Sequence, residues 1–99
     1  MTKKQQSVGQ PEEYTYLPLD DTKNYFYSHD IGLMAYLLCQ SFELVGLDKA
    51  VRNKVLFILK RNGEIDAEVK KYWGFKSAVD AQTYFNQIKR LKNQIFSSD

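Results

Sequence analysis

Ser28-His29-Asp30 holds the three side-chain types of a hydrolytic triad, one directly after another. A triad needs nucleophile, base and acid to converge from separate segments, so three neighbours on one backbone cannot take that geometry. His29 is the single histidine of the chain, and a general base needs a positioned partner. Ser28 reads instead as the N-cap of a helix, with Asp30 in the first turn, where the dipole favours negative charge. Cys39 is the single cysteine and stands ten residues from His29, with no second pair to complete a zinc site. It lies in an apolar helical stretch and is expected as a small buried hydrophobe. Gly63 and Gly74 are isolated and punctuate helices rather than cradle a phosphate. The chain is therefore read as a non-enzyme, with no catalytic residues, no cofactor and no metal.

Binding chemistry is better represented. Lys49, Arg52, Lys54, Lys60 and Arg61 fall within thirteen residues that contain no acid. If Lys54 to Lys60 is a strand, its ends lie about 20 Å apart at ~3.3 Å per residue. The positive charges then form two groups, Lys49, Arg52 and Lys54 at a hairpin end, and Lys60 and Arg61 at the other. A phosphate backbone running along the strand would join them. The competing reading is that lysines flank an apolar strand as guards against aggregation. Tyr25 and Tyr27 share one face of a short strand, with Phe26 on the other. Sheet tyrosines beside positive charge can stack unpaired bases, and they also suit ordinary half-buried strands. Tyr72 and Trp73 close a helix. Trp73 is expected in the core, and if exposed beside Tyr72 it would anchor a protein interface.

These residues need elements to hold them. Ninety-nine residues make one domain. Residues 1–22 read as a flexible polar arm whose end is anchored by Tyr14, Tyr16, Leu17 and Leu19. Residues 23–96 read as the domain and 97–99 as a frayed tail. Residues 54–60 hold five apolar residues between two lysines, too short for a helix and rich in strand formers. Both faces of that strand are apolar, so it belongs in the middle of a sheet. Asn24–Tyr27 and Phe42–Asp48 supply its neighbours. A first helix runs to about Gln40 with Ile31, Met34, Leu37, Leu38 and Ser41 on one stripe. A second, opened by Asn62 and stopped by Gly74, presents Ile65, Val69, Tyr72 and Trp73. A third, capped by Asp80, presents Tyr84, Phe85, Ile88, Leu91 and Ile95. The expected fold is α+β, in the order β-α-β-β-α-α. Its sheet has three strands with 54–60 in the centre, and the helices lie mainly on one face.

Charge is divided unevenly. Residues 1–48 carry three Lys against seven acids, while residues 49–99 carry eleven Lys and Arg against five. The second half therefore points to an acidic or nucleic-acid partner. The first residues lack the apolar core of a signal peptide. The longest apolar run, Ile31 to Cys39, is far short of the ~18 residues that span a bilayer. A cytoplasmic location without a membrane partner is expected. The function read from these features is binding of nucleic acid or of a nucleic-acid-handling protein. The alternative is a protein-interaction module, homodimer or adaptor, using the open sheet face or the third helix.

The blocks Tyr25-Phe26-Tyr27-Ser28-His29-Asp30, Met34-Ala35-Tyr36-Leu37-Leu38 and Phe42-Glu43-Leu44-Val45 resemble the start of a family of small uncharacterised bacterial proteins, a domain of unknown function. Lys54-Val55-Leu56-Phe57-Ile58, Tyr72-Trp73 and Ile88-Lys89-Arg90-Leu91-Lys92 resemble its later blocks. The likeness spans roughly residues 24–96. It implies a setting in phages and mobile elements, and it implies no catalytic residues. Two positions depart from the family pattern. Ser41 stands where the family tends to have Gly, and Lys60 and Arg61 stand where it favours acids.

Overall fold

The five apolar residues between Lys54 and Lys60 build the middle of the sheet. In the computed structural model, which describes residues 21–50 and 54–97, Leu56–Lys60 forms β3. It pairs antiparallel with β1 (Tyr25–Ser28) on one side and with β2 (Leu44–Asp48) on the other, in the order β1-β3-β2. Both neighbours oppose β3, so they run parallel to each other and α1 (Ile31–Cys39) is the crossover between them. The full order is β-α-β-β-α-α, completed by α2 (Ile65–Trp73) and α3 (Ala81–Ser97), and the α+β expectation holds. The arm residues 1–20 with their four expected anchors, Arg52, and the last two residues lie outside the described residues.

Phe57, Ile58 and Leu59 are all buried, as a central strand requires, but they serve two different faces. Phe57 and Leu59 belong to the cluster they form with α1, Ile65 and Leu91, whereas Ile58 stands outside it. The β2 strand reaches that arrangement through a bulge. Leu44 pairs with Leu59 and Gly46 with Ile58, which leaves Val45 as an extra residue. Strict alternation puts Leu44 and Leu47 on opposite faces. The bulge returns Leu47 to a position opposite Phe57, and both leucines pack against the core.

α1 has no polar face in its middle, and Leu33 through Leu38 are buried without a break. It lies against β1, α2 and α3, so a helix apolar all round is what the packing requires. Its N-cap is Asp30 rather than Ser28. Asp30 Oδ1 accepts from the Leu33 amide at 2.9 Å, and Ser28 Oγ accepts from the Asp30 amide at 3.0 Å. The strand continues through Ser28, which moves the helix start two residues along.

The helix ends with Ser41 at φ 73°. The Phe42 amide donates to Leu37 O and the Ser41 amide to Leu38 O, each at 3.1 Å, the two bonds of a Schellman motif. Phe42 is buried with Leu37 and supplies the apolar contact that goes with it. A left-handed backbone costs a residue with a Cβ roughly 1–2 kcal/mol, part of which glycine returns through its unfolded-state entropy. Ser41→Gly is therefore expected to raise the unfolding free energy by about 1 kcal/mol, read by urea denaturation. A loss of stability would mean that the Ser41 side chain compensates for its backbone.

Asn62 does not cap α2. Its Oδ1 accepts from the Glu64 amide at 2.8 Å, a turn that precedes the helix, and Glu64 sits at the N-cap without a side-chain cap. Asp80 does cap α3, its Oδ2 accepting from the Thr83 amide and the Thr83 hydroxyl at 2.9 Å each. α3 runs through Ser97, one residue into the expected tail. Tyr84, Ile88, Leu91 and Ile95 face the core as expected, but Phe85 does not.

Polar bonds tie the three helices together. Tyr36 Oη donates to Glu68 Oε1 at 2.6 Å, joining α1 to α2. Tyr84 Oη donates to Gly32 O at 3.2 Å, joining α3 to α1. A Cβ on Gly32 would stand 2.5 Å from the Tyr72 hydroxyl, so any larger residue would push that hydroxyl off the turn. Burial, then the Glu68 carboxylate, pushes the Tyr36 phenol up to about 12, and the same hydroxyl holds Glu68 below its ordinary value. Burial, then its bond with Tyr84, pushes Tyr72 up to about 12.

Candidate functional site

The three letters of the triad serve a strand-to-helix corner. Ser28 and Asp30 bond to backbone amides, and exposed His29 donates through Nδ1–H to Val55 O at 2.9 Å. Burial pushes the Cys39 thiol up, with the Asp80 charge adding to it. That is the opposite of what an activated thiolate needs. Among the described residues no group of three or more His, Cys, Asp and Glu side chains could hold a metal ion. No helix there is long and apolar enough to cross a membrane.

The basic residues divide by the work each performs. Lys49 Nζ donates to Gln94 O at 3.2 Å and Ile95 O at 2.6 Å. These are carbonyls of the last turn of α3, which have no partner within the helix. Arg61 Nη1 donates to both carboxylate oxygens of Asp66, at 3.0 and 2.9 Å, and its guanidinium lies 5.8 Å over the Phe26 ring. Both cations thus help to hold the fold. Lys54 and Lys60 are exposed, one just before β3 and one at its end. Arg52 lies outside the described residues. The four described cations therefore do not gather into one patch, and the separation of Lys54 from Lys60 follows from the length of the strand.

The sheet does bring two of the expected elements together. Tyr25 pairs with Lys60, Tyr27 with Ile58, and Ile58 in turn with Gly46. Residues paired across an antiparallel ladder share a face. This face is the one turned away from Phe26, Phe57 and Leu59, which pack into the core beneath the helices. The Tyr25 and Tyr27 rings are half-buried, with centroids 6.4 Å apart and planes inclined by 48°. Tyr27 Oη donates to Asp21 O at 3.4 Å. The result is two adjacent half-buried phenol rings on a sheet face that also holds the buried Ile58, with exposed Lys60 opposite the first.

Among the described residues, the most exposed large apolar groups lie elsewhere. Trp73 is 55 % exposed, Phe75 95 %, Phe85 55 % and Phe96 82 %. Trp73 is thus not a core residue. It stands at the edge of the α2 stripe, and the helix ends there before anything can cover it. Tyr72 turns inward, onto the core and the Tyr84 hydroxyl, with its ring 5.0 Å from Trp73 and edge-on to it. Phe75 was not among the expected site residues. Gly74 is the C-cap at φ −86°, and the left-handed position passes to Phe75 at φ 60°. The Phe75 amide donates to Tyr72 O at 3.2 Å and the Lys76 amide to Lys71 O at 2.9 Å, a second Schellman motif. Phe85 and Phe96 are eleven residues apart and share one side of α3, with the Lys89 ammonium 5.2 Å over the Phe85 ring. α3 itself carries three basic residues and no acid.

No curated protein and no solved structure matches the chain. The blocks that lie along β1, α1, β3 and α3 nevertheless fall within one family model, which covers residues 23–97. That span takes in the whole described fold but for Asp21 and Thr22, and so the chain belongs to the family described as Domain of unknown function (DUF5659).

Proposed function

We propose that the protein is a non-enzymatic binding module that engages single-stranded nucleic acid. In this reading it is a cytoplasmic accessory protein of a bacterial phage or mobile element. The observation that carries the reading is the shared face of Tyr25, Tyr27 and Lys60 on the side of the sheet away from the helices. Unpaired bases stack on phenol rings, and an ammonium beside them meets the phosphate. Lys54, exposed at the other end of the strand, extends the positive track. The setting rests on the family resemblance alone.

The test is a titration of fluorescently labelled oligothymidylate, and of a duplex of the same length, followed by anisotropy. Tyr25→Ala and Tyr27→Ala are each expected to weaken single-strand binding by about 1–3 kcal/mol. Affinity should fall steeply between about 50 and 200 mM salt. If the wild-type protein binds no strand at the lower salt, the reading is withdrawn.

A second reading is supported by Phe85 and Phe96, two exposed aromatics on one side of α3. They suit a protein-interaction module, adaptor or homodimer, because large exposed rings are typical interface anchors. Light scattering at high concentration separates the homodimer from the rest, and a monomer there removes it.

A further inference from the structure

We infer that the end of α2 is a second stacking station for single-stranded nucleic acid, with Trp73 and Phe75 taking bases and Lys70, Lys71 and Lys76 taking phosphates. The inference rests on the nucleic-acid reading of the sheet and adds a surface to it. It begins from the backbone of Phe75. An aromatic residue with a Cβ occupies φ 60°, where glycine is favoured, and its side chain is 95 % exposed. In the matching motif after α1 the next residue, Phe42, is buried against Leu37. After α2 the equivalent pair is Lys76 and Lys71, so no apolar contact offsets the conformation. A strained, uncovered aromatic two residues after a half-exposed indole is an observation that calls for a ligand.

Charge and ring geometry select the ligand. Residues 69–79 contain Lys70, Lys71 and Lys76 and no acid, and all three lysines are exposed. Among the described residues, Lys71 is the one of the three that forms an ion pair, with Glu68 at 3.4 Å. A second copy seated patch on patch would bring these lysines together, so a symmetric pairing centred here is disfavoured. The contact of Trp73 with Tyr72 is edge to face, at 81° between planes, so Tyr72 can cover one indole face at most. Exposed rings on a segment that also carries exposed ammonium groups are what unpaired bases and their phosphates use, without sequence preference.

Trp73 is the single tryptophan, so its emission reports on this site alone. The experiment titrates oligothymidylate, a duplex, and phosphatidylcholine–phosphatidylglycerol vesicles against the wild type, Phe75→Gly and Tyr25→Ala/Tyr27→Ala. Trp73 emission and DNA anisotropy are followed together. Phe75→Gly suits the backbone, so it tests the ring without endangering the fold. Oligothymidylate is expected to quench Trp73 saturably and the duplex to leave it unchanged. Phe75→Gly should weaken single-strand binding about tenfold. Quenching that survives Tyr25→Ala/Tyr27→Ala supports the station as a separate contact. Single-strand binding with unaltered Trp73 emission and no effect of Phe75→Gly overturns the inference and leaves the sheet reading standing. Quenching with no effect of the tyrosine substitutions on affinity removes the sheet reading and keeps the station. A vesicle-induced blue shift without quenching by oligothymidylate overturns the inference in favour of a lipid contact. No anisotropy change and no quenching removes both.

Discussion

Phe57→Ala is expected to lower the unfolding free energy by about 3–5 kcal/mol, a large part of the roughly 5–15 kcal/mol that holds a small domain together. Phe57 is 1 % exposed and sits near the start of β3, the central strand, paired with Ser28 on one side and Leu47 on the other. Its ring faces α1, so truncation leaves a cavity between sheet and helix that neither can close without losing register. The substitution touches nothing on the opposite face, where Tyr25, Tyr27 and Lys60 stand. Urea denaturation should show a lower midpoint with an unchanged slope, the sign of lost stability rather than of a changed unfolded state. Phe96→Ala, at a ring 82 % exposed, serves as the contrast and should stay within about 0.5 kcal/mol. A loss below about 1 kcal/mol for Phe57→Ala would mean that the centre of the sheet is not sealed as its burial indicates.

The central strand was legible because its signal is compositional. Apolar residues at consecutive positions can be satisfied only when both faces are covered, and the β1-β3-β2 order followed from the antiparallel partners available. The face of Leu47 was not legible. Alternation assumes that no residue is skipped, and Val45 is skipped by a bulge whose one sequence mark is the neighbouring Gly46. The N-cap of α1 moved from Ser28 to Asp30 for a related reason. Both residue types cap helices, and only the length of the preceding strand decides between them.

The site was legible in part. The parity of Tyr25 and Tyr27 followed from the pleat, and their meeting with Lys60 followed once the antiparallel register was set. The roles of Lys49 and Arg61 did not, because each depends on a partner far off in space or on another element. Lys49 reaches α3 carbonyls some forty-five residues later, and Arg61 reaches Asp66 on α2. Trp73 and Phe85 misled for one physical reason. A large aromatic next to a helical stripe counts as core by periodicity, and its exposure is set by whether another element reaches that side. Phe75 gave a fainter clue. Gly74 invites the left-handed position, and the structure places that position one residue further on.

Leu91→Ala is expected to cost about 2–5 kcal/mol, and it tests how the layers depend on one another. Leu91 is 0 % exposed, and its α3 neighbours on the same side, Tyr84, Ile88 and Ile95, are only half-buried. One side chain therefore carries most of the helix's full burial, and it does so chiefly against α1 rather than against the sheet. Amide exchange should show α3 losing protection ahead of β3, because the cavity lies at the outer boundary of the core. The Tyr25–Tyr27 face lies on the side of β3 away from the cluster that holds Leu91. Oligothymidylate affinity, measured well below the lowered Tm, should then stay within about twofold of wild type, the coupling expected of separate sites. A fall of tenfold in the folded variant would place α3 in the binding surface and shift the functional reading from the sheet to Phe85, Lys89 and Phe96.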